Sequence, residues 1–451
     1  MNSRPIRSVA DAASYLDGLI NYEREKRWSA KNLGLAPTRA LLESVGNPER
    51  NISFVHVAGS KGKGSTCLFV EGLLLALGEK VGTFTSPHFV SWVERFRIDG
   101  QPVADEILVD AVERIRPHVD RLRNDPALAP SYFVAATVVA MVIFERAGVD
   151  RVVLEVGLGG RLDSTNVVSP AVTCVTSIEL EHTAILGDTL SAIAKEKAGI
   201  LKPGVPCVLG ALPESAREAV VERARKLGCP LDEEAVDFQI DIEEQTPSLS
   251  PVPESSVFRY RASDGFETRA SLAVLGAHQV RNAALALTVV RKLGVHSDKE
   301  VLRAVTERLS AIMLPGRVEI VHRRPCVVID SAHTANSAAA LAQTLGEFRL
   351  SPRHLVLSVS EGKNLETILE TLLPCFDSVT VTRSETPKCL EPAELESAVR
   401  ALGFSAVAVV DSAERALLES RQSMDPEGLL CVTGSVYLAG IAHALWSRNR
   451  T

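Results

Sequence analysis

The chain has 451 residues and a formal net charge of −7, from 49 Lys and Arg against 56 Asp and Glu. A hydrophobic fraction of 46% with 23% charged residues is ordinary for a globular protein, and it excludes a wholly disordered or collagen-like chain. At roughly 150 residues per domain the length predicts two or three domains. The acidic balance disfavours nucleic-acid binding by charge alone.

The eight cysteines are scattered, with no Cys-x-x-Cys pair and no Cys/His cluster at zinc spacing. We therefore expect reduced thiols and no structural zinc. Residues 1–17 mix charged and apolar side chains and do not look like a signal peptide. The longest apolar run, 132–144, is too short to cross a bilayer. These features predict a cytoplasmic protein without a membrane partner.

Short apolar strands alternate with helical patterns along the chain. This order favours an α/β fold with a mostly parallel sheet covered by helices. The strands are apolar on both faces, as buried parallel strands are. In the first half of the chain the pattern predicts helices over 11–20, 37–45, 66–77 and 190–201, and strands over 54–58, 152–156 and 172–177.

The segment 231–270 differs in composition, being rich in acidic residues and proline. It predicts a polar insertion with a hairpin rather than a separate domain. Helical patterns resume at 282–293 and 299–309, and strands follow over 327–330, 354–359, 378–382, 406–410 and 429–433. We place a boundary near residue 312, which gives an N-terminal domain over 1–312 and a C-terminal domain over 313–451.

A glycine-rich loop follows the first strand, and a helix follows the loop. Glycines allow backbone N–H groups to turn towards a phosphate, and the helix N-terminus adds partial positive charge. The usual pattern is G-x-x-x-x-G-K-[ST], whereas Lys63 here precedes the last glycine. The residues predicted to hold the phosphates are Ser60, Lys61, Gly62, Lys63, Gly64 and Ser65.

A second glycine-rich loop, 157–162, follows the strand over 152–156. It differs from the dinucleotide fingerprint G-x-G-x-x-G because Leu162 occupies the place of the last glycine, so it is a weak nicotinamide signal. The strand before it contains Glu155. A carboxylate in a buried strand needs a partner, and a cation is the usual one.

Taken in order, these loops resemble the dihydrofolate synthase/folylpolyglutamate synthase family of the Mur ligase superfamily. The stretches that carry the resemblance are VAGSKGKGST (57–66), TSPH (85–88), LEVGLGGRLDSTN (154–166), IAKEKAGI (193–200), GAHQ (276–279), LPGR (314–317), DSAH (330–333) and TGSVY (433–437). The resemblance implies an N-terminal P-loop-type ATPase domain with a mostly parallel sheet. It further implies a C-terminal Rossmann-like α/β domain and an active site in the cleft between the two.

The implied activity is an ATP-dependent ligation. ATP converts a carboxylate into an acyl phosphate, and the amine of L-glutamate then displaces phosphate to form an amide. Two anions must meet before phosphoryl transfer, so Mg²⁺, a lysine and backbone amides would screen their charge. The small-molecule substrates implied are ATP, L-glutamate and a pterin-bearing acid, namely dihydropteroate, a tetrahydrofolate or both.

By resemblance, the chain's site residues fall into four groups. ATP contacts beyond the loop are Asn282, Arg317, Asp330 and His333, and the two expected magnesium sites match Ser86, Glu155, His182 and Lys197, with Lys197 as a carbamate. Lys63, His182 and Lys197 are the predicted catalytic residues. The predicted pterin contacts are Asn32, Leu33, Gly34, Ser131, Tyr132, Phe133, Val134 and Leu162.

The chain departs from the family pattern at several positions. Lys61 and Glu181 stand where an asparagine and an aspartate are common, and Thr334 where an asparagine is. Val134 and Asn32 replace acidic residues in the predicted pterin pocket, so they leave the carboxylate acceptor open.

Three alternatives remain open at this point. One is a ligase of the same chemistry that acts on another carboxylate, such as a cell-wall nucleotide peptide. We expect such an enzyme to carry an extra N-terminal domain for its uridine nucleotide, and only about 53 residues precede the first strand here. Another is a catalytically inactive nucleotide-binding protein, disfavoured by the intact metal-site residues. The last is an NAD-dependent dehydrogenase, disfavoured by Leu162. On family grounds we expect a monomer.

Overall fold

The computed structural model describes residues 5–20, 34–243, 250–384 and 389–447. The predicted site residues Asn32 and Leu33 lie outside this part of the chain. The contacts divide the chain into two compact units. Unit 1 runs to Asp241 and adds Arg259–Ala270 and Arg281–Leu309, whereas unit 2 holds Ile242–Phe258, Ser271–Val280 and the chain from Ser310 onward. The predicted domain boundary near residue 312 stays a prediction.

Unit 1 is built on an eight-stranded sheet. Its strands are β1 (Ser53–Ala58), β2 (Val81–Phe84), β3 (Phe96–Ile98), β4 (Gln101–Pro102), β5 (Arg151–Glu155), β6 (Pro170–Val175), β7 (Cys207–Leu209) and β8 (Leu231–Glu233). They lie in the order β4-β3-β2-β5-β1-β6-β7-β8. The pairs from β2 to β8 are parallel, and β3 and β4 are antiparallel additions at one edge.

Helices cover both faces of this sheet. They are α1 (Val9–Asp17), α2 (Ala36–Ser44), α3 (Lys63–Ala76), α4 (Asp105–Leu122), α5 (Tyr132–Ala147), α6 (Thr183–Leu186), α7 (Leu190–Lys197), α8 (Glu214–Leu227), α9 (Ala277–Lys292) and α10 (Asp298–Arg308). One apolar cluster joins α1, α2, α4 and α5 to the sheet, and another joins α7 and α8 to the part of the sheet around β6 and β7. Helix α5 is buried almost all round, which explains the long apolar run in the sequence. Among the described residues, no helix combines the length and apolarity needed to cross a membrane.

The segment 231–270 contains more structure than the predicted hairpin. Strands β9 (Phe238–Ile242), β10 (Ser256–Ala262) and β11 (Glu267–Leu272) form a separate sheet in the order β11-β10-β9, while β8 joins the main sheet. Buried and exposed residues alternate along β10 and β11, as they do in a half-buried strand. The Phe238 and Tyr260 rings stack 5.7 Å apart, and the Arg291 guanidinium lies 4.1 Å from the centroid of Phe266. These aromatic side chains give the acidic segment its own packed layer.

Unit 2 is built on a six-stranded sheet. Its strands are β12 (Glu319–Arg323), β13 (Cys326–Ile329), β14 (Arg353–Leu357), β15 (Ser378–Arg383), β16 (Val407–Ser412) and β17 (Leu429–Thr433), in the order β12-β13-β17-β14-β15-β16. All neighbours are parallel except β12 and β13. The helices are α11 (Ala335–Leu345), α12 (Leu365–Leu372), α13 (Pro392–Ala401), α14 (Ala413–Ser423) and α15 (Val436–Ser447). The predicted α/β fold with two mostly parallel sheets is confirmed.

A histidine in unit 2 makes stability depend on pH. Nδ1 of His354 lies 2.6 Å from Ser378 Oγ, and Nε2 lies 2.9 Å from Thr380 Oγ1. Burial lowers the pKa of His354 from 6.5 to about 4. Between pH 6.5 and about 4, His354 therefore binds a proton in the unfolded chain but not in the folded chain.

We expect the His354→Gln variant to reduce the pH dependence of unfolding. In the wild type this histidine's contribution is fully present above pH 6.5 and is lost as the pH falls towards 4, by up to about 3 kcal/mol. Urea unfolding at pH 7 and pH 4.5 measures the difference. Other buried histidines are present in both proteins, so their contributions cancel in the comparison. An equal change in unfolding free energy between the two pH values for both proteins would contradict the role given to His354.

Candidate functional site

The loop between β1 and α3 begins the site. Gly59 has φ +152° and Gly62 has φ +83°, conformations that favour glycine. A Cβ on Gly59 would lie 1.9 Å from Thr176 Oγ1. Helix α3 starts at Lys63, and its first N–H groups and partial positive charge face the space beyond the loop. The Lys63 ammonium folds back and donates to Gly59 O at 3.0 Å.

The segment after β6 fixes the shape of this loop. The N–H of Lys61 donates to Ser177 Oγ at 2.8 Å, and Thr176 Oγ1 donates to Lys61 O at 2.6 Å. The N–H of Ser60 donates to Ser177 O at 2.7 Å, and Ser60 Oγ accepts the N–H of Glu179 at 2.9 Å. The sequence analysis did not predict Thr176 and Ser177 as part of the site. The available signal was that both end the strand predicted over 172–177, whose carboxyl end would lie beside that of β1.

Three lysines surround one carboxylate next to the loop. Lys197 is only 2% exposed, and its ammonium donates to Gly59 O and to Glu181 Oε1, both at 2.9 Å. Lys61 Nζ lies 3.8 Å from Glu181 Oε2. Burial lowers the pKa of Lys197 to about 8, although Glu181 opposes the shift. Burial alone would raise the pKa of Glu181, but the charges of Lys197, Lys63 and Lys61 outweigh it and hold the pKa at about 2.

A second carboxylate lies at the end of β5, the neighbour of β1. Glu155 Oε2 accepts the N–H of Ser86 at 2.8 Å, and a Cβ on Gly64 would lie 3.4 Å from the same oxygen. The structure therefore brings Glu155, Ser86 and the start of α3 together. His182 precedes α6, is exposed, and has the left-handed φ of +47°.

The donor groups beside the loop suit magnesium only in part. Among the residues that the structure describes, no three His, Cys, Asp or Glu side chains lie close enough to hold a metal by themselves. Magnesium commonly takes one or two carboxylates and completes its octahedron with water and phosphate oxygens, so Glu155 with the Ser86 hydroxyl fits a nucleotide-bound ion. Lys197 as an ammonium cannot be a ligand; only its carbamate could.

Asn282, on α9, packs against the glycine-rich loop between β1 and α3. A Cβ on Gly62 would lie 2.3 Å from Asn282 Oδ1, so the glycine is required for this close approach. Asn282 is buried. Both residues belong to unit 1. The amide thus lies beside the loop predicted to hold phosphate.

The second glycine-rich loop serves packing in this structure. Asp163 accepts the N–H of Leu158 at 2.8 Å, and the N–H of Arg161 donates to Glu196 O at 2.8 Å. A Cβ on Gly160 would lie 2.8 Å from the carbonyl oxygens of Glu196 and Lys197. The loop therefore holds the end of α7, and with it Lys197, at a fixed distance from β5. Close packing against α7, rather than the binding of a dinucleotide, explains why this loop contains glycines.

The predicted pterin residues have different environments. Tyr132 and Val134 are buried, and Tyr132 OH accepts the indole N–H of Trp92. Phe133 is partly buried and packs over Gly157, whose Cβ would meet the ring at 2.4 Å. Ser131 caps α5 by accepting the N–H of Val134, whereas Gly34 and Leu162 are partly exposed. Of the aromatic pair, only Phe133 retains an accessible surface, and the pterin contacts stay a prediction.

In unit 2, Asp330 and His333 follow β13. The Asp330 carboxylate accepts the N–H of Val318 at 2.9 Å and that of Ala332 at 2.8 Å. Burial raises the pKa of Asp330, with Arg317 and these amides opposing the shift. His333 Nδ1 lies 2.8 Å from the carbonyl oxygen of Ser331. A carbonyl only accepts, so Nδ1 carries the proton and Nε2 carries the lone pair in the neutral ring.

The chain is similar to known glutamate ligases along its whole length. Residues 316–436 match the family described as Mur ligase, glutamate ligase domain. The dihydrofolate synthase/folylpolyglutamate synthase of Bacillus subtilis is 31% identical over 433 residues, which cover 95% of this chain and 96% of that protein. A crystal structure of Mycobacterium tuberculosis folylpolyglutamate synthase, complexed with ADP and AMPPCP, is 30% identical with a TM-score of 0.84, covering 98% of this chain and 99% of that one.

A longer relative matches as well. The probable bifunctional folylpolyglutamate synthase/dihydropteroate synthase of Haloferax volcanii is 35% identical over 430 residues, which are 95% of this chain and 50% of that protein. The chain spans about half the length of this relative and of a similar one from Halobacterium salinarum.

We expect the Gly59→Ala variant to lose nucleotide affinity by at least about tenfold, because its Cβ would displace Thr176 and the loop that Thr176 holds. Calorimetric titration with ADP measures this. Gly78→Ala is the matched control, since Gly78 also has a left-handed backbone (φ +85°) but nothing within 4 Å of its Cβ. Equal affinity losses in the two variants would show that backbone strain alone is responsible.

We expect Glu181→Gln to destabilise the protein by about 3 kcal/mol, because it leaves the buried Lys197 ammonium without its counter-charge. Adding Lys197→Met to that variant should recover most of the loss, since no buried charge then remains. Denaturant unfolding of both single variants and the double variant measures the coupling. Additive losses would mean that the two side chains do not form a functional pair.

Proposed function

We propose that this chain, which belongs to the dihydrofolate synthase/folylpolyglutamate synthase family, is an ATP-dependent ligase that joins L-glutamate to a folate-type carboxylate. The acceptor is dihydropteroate, a tetrahydrofolate or both, and the reaction passes through an acyl phosphate. The observation that carries the proposal is the cluster of Lys61, Lys63 and Lys197 around the glycine loop, with Glu155 at the neighbouring strand end.

The first task of the site is to bind the triphosphate. The first N–H groups of α3 and the Lys63 ammonium supply donors to phosphate oxygens. The Lys63 ammonium donates to Gly59 O and Ser60 O. It is therefore hydrogen-bonded without nucleotide, and it can donate to phosphate oxygens instead when nucleotide binds. Asn282 lies beside Gly62 and can orient the same phosphates.

The second task is to bring the acceptor carboxylate to the terminal phosphate. Both groups are anions, so the transition state depends on fixed positive charge rather than on covalent help from the protein. Glu155, the Ser86 hydroxyl and His182 would hold magnesium, which when bound supplies charge that neutralises the phosphate oxygens. Glu155 is already held by the N–H of Ser86, so its carboxylate needs little reorganisation.

Lys197 has a chemistry suited to carbamylation. An amine whose pKa is about 8 is partly unprotonated near neutral pH, and only the unprotonated amine reacts with CO₂. A carbamate would be an anion where Glu181 now lies 2.9 Å away, so Glu181 must then pair elsewhere. Lys61, 3.8 Å from the other oxygen of Glu181, is the cation available for that pairing. The carbamate would supply oxygens to a second metal ion.

The residues proposed for the remaining nucleotide contacts lie in unit 2. Arg317 pairs with a phosphate through its guanidinium. Each oxygen of Asp330 accepts one backbone N–H and keeps a second lone pair, which can accept a ribose hydroxyl. His333 belongs to the same group of contacts. We further propose a cytoplasmic monomer that acts on small molecules, in keeping with its net charge of −7.

We expect phosphate release from ATP that requires both L-glutamate and a folate-type acceptor. Lys63→Ala should lower the rate by about 10²-fold or more, because a fixed cation at the reacting phosphate is lost. Lys195→Ala is the matched control, as Lys195 is exposed on α7. Dihydropteroate and tetrahydrofolate are offered separately, with magnesium present.

The pattern of release identifies the acceptor. Release with dihydropteroate alone means a dihydrofolate synthase, release with tetrahydrofolate alone means polyglutamylation, and release with both means a bifunctional enzyme. No release with either acceptor, from protein that still binds ADP, would contradict the folate assignment and favour a different carboxylate.

A further inference from the structure

The turn that carries Arg317 is held by two buried carboxylates. The N–H of Gly316 donates to Glu319 Oε2 at 2.9 Å, and the N–H of Val318 donates to Asp330 Oδ2 at 2.9 Å. Glu319 and Asp330 are each only 6% exposed. The two amides on either side of Arg317 are therefore bound to carboxyl oxygens that are shielded from water.

The arginine side chain is tied to the same turn. Arg317 Nη1 donates to the carbonyl oxygen of Gly316 at 3.1 Å, and the N–H of Ser331 donates to that oxygen at 3.0 Å. A rotation of the Gly316 backbone would therefore move the guanidinium. Glu319, which accepts the N–H of Gly316, opposes that rotation together with Ser331.

The backbone of the turn is strained. Val318 has φ +47°, and a β-branched residue in this left-handed region is a genuine outlier. Its N–H is the one that Asp330 accepts, and its side chain is buried in the unit 2 core. Such strain persists only where the surroundings over-determine the conformation, and it concentrates at functional positions.

A histidine from the last helix of the unit completes the arrangement. Nδ1 of His443, on α15, lies 2.9 Å from Glu319 Oε2, the same oxygen that binds Gly316. A carboxylate only accepts, so Nδ1 carries the proton. This bond leaves Glu319 little freedom to swing away from the turn.

We propose that Glu319, held by His443, is a positioning residue that pre-organises Arg317 for a phosphate group. Glu319 acts on the reaction only through the Gly316–Arg317 backbone. The phosphate belongs to the nucleotide of the proposed function, on which this inference rests. Fixing a charged group in advance removes the reorganisation that binding would otherwise require.

A double-mutant cycle tests the proposal with four proteins: wild type, Glu319→Ala, Arg317→Ala and the double variant. The first readout is affinity for ADP and AMPPCP by calorimetry, which needs no acceptor. The second is kcat and KM for ATP in phosphate release. We expect Glu319→Ala to weaken nucleotide affinity by about tenfold or more when Arg317 is present, and by less than about twofold in the Arg317→Ala background.

Variants with intact folding keep the comparison clear. Glu319→Gln retains an acceptor for the N–H of Gly316 and should recover most of the affinity. Glu319→Met, which fills similar space without an acceptor, replaces Glu319→Ala in the cycle if the alanine variant does not fold. Leu372→Ala is the control for general destabilisation, because Leu372 is buried in the same core and is not part of the turn. It should leave nucleotide affinity unchanged in both Arg317 backgrounds.

The outcomes separate the two proposals. Equal losses from Glu319→Ala with and without Arg317 would overturn the positioning role, as would an Arg317→Ala variant that binds both nucleotides normally. A non-additive cycle in nucleotide affinity supports the positioning role even if no acceptor triggers phosphate release. That combination would contradict the ligase assignment alone.

Discussion

The carbonyl oxygen of Gly59 accepts hydrogen bonds from two ammonium groups, those of Lys63 and Lys197. Lys63 starts the helix after the loop, whereas Lys197 ends a helix more than a hundred residues further along the chain. One backbone oxygen thus fixes the distance between the two cations. The arrangement is possible only because Gly59 has no Cβ, which would otherwise overlap Thr176.

The sheet order explains how distant segments reach this point. Strand β1 lies between β5 and β6, and all three are parallel, so their carboxyl ends meet at one edge. Those ends carry the first glycine-rich loop, Glu155, and the Thr176–Ser177 pair that binds the loop. Parallel strands need long crossover connections, which is why the site residues are far apart in sequence. In unit 2 the same principle brings Asp330 and Thr433 to the ends of the adjacent strands β13 and β17.

The sequence was sufficient for the fold class and for the glycine loops. Strands β1, β5 and β6 were predicted because each is an apolar run that ends at turn-forming or polar residues. The short strands β2 and β7 were not predicted, because three or four residues show no distinguishable period and the strands exist through pairing with β5 and β6. The insertion 231–270 was underestimated, since its acidic outward residues concealed the aromatic ones that pack inward.

Site residues could be predicted where the residue type and its neighbours in sequence indicate a chemical role. They could not be predicted where the role depends on contacts between distant parts of the chain. Lysines in a glycine loop and a carboxylate in a buried strand are local signals. That Glu181 would lie among three lysines is not local, because it depends on the packing of α7 against the loop. The same holds for Glu319, whose partners Gly316 and His443 come from a turn and from the last helix.

Two departures from the family pattern, Lys61 and Glu181, are in contact with each other. Lys61 adds positive charge to a cluster that already contains Lys63 and Lys197. Glu181 offsets this charge, because it lies between Lys61 and Lys197 and the lysine charges lower its pKa so that it stays ionised. Three lysines against one carboxylate leave the loop positive, while Glu181 supplies the counter-charge for the buried ammonium of Lys197.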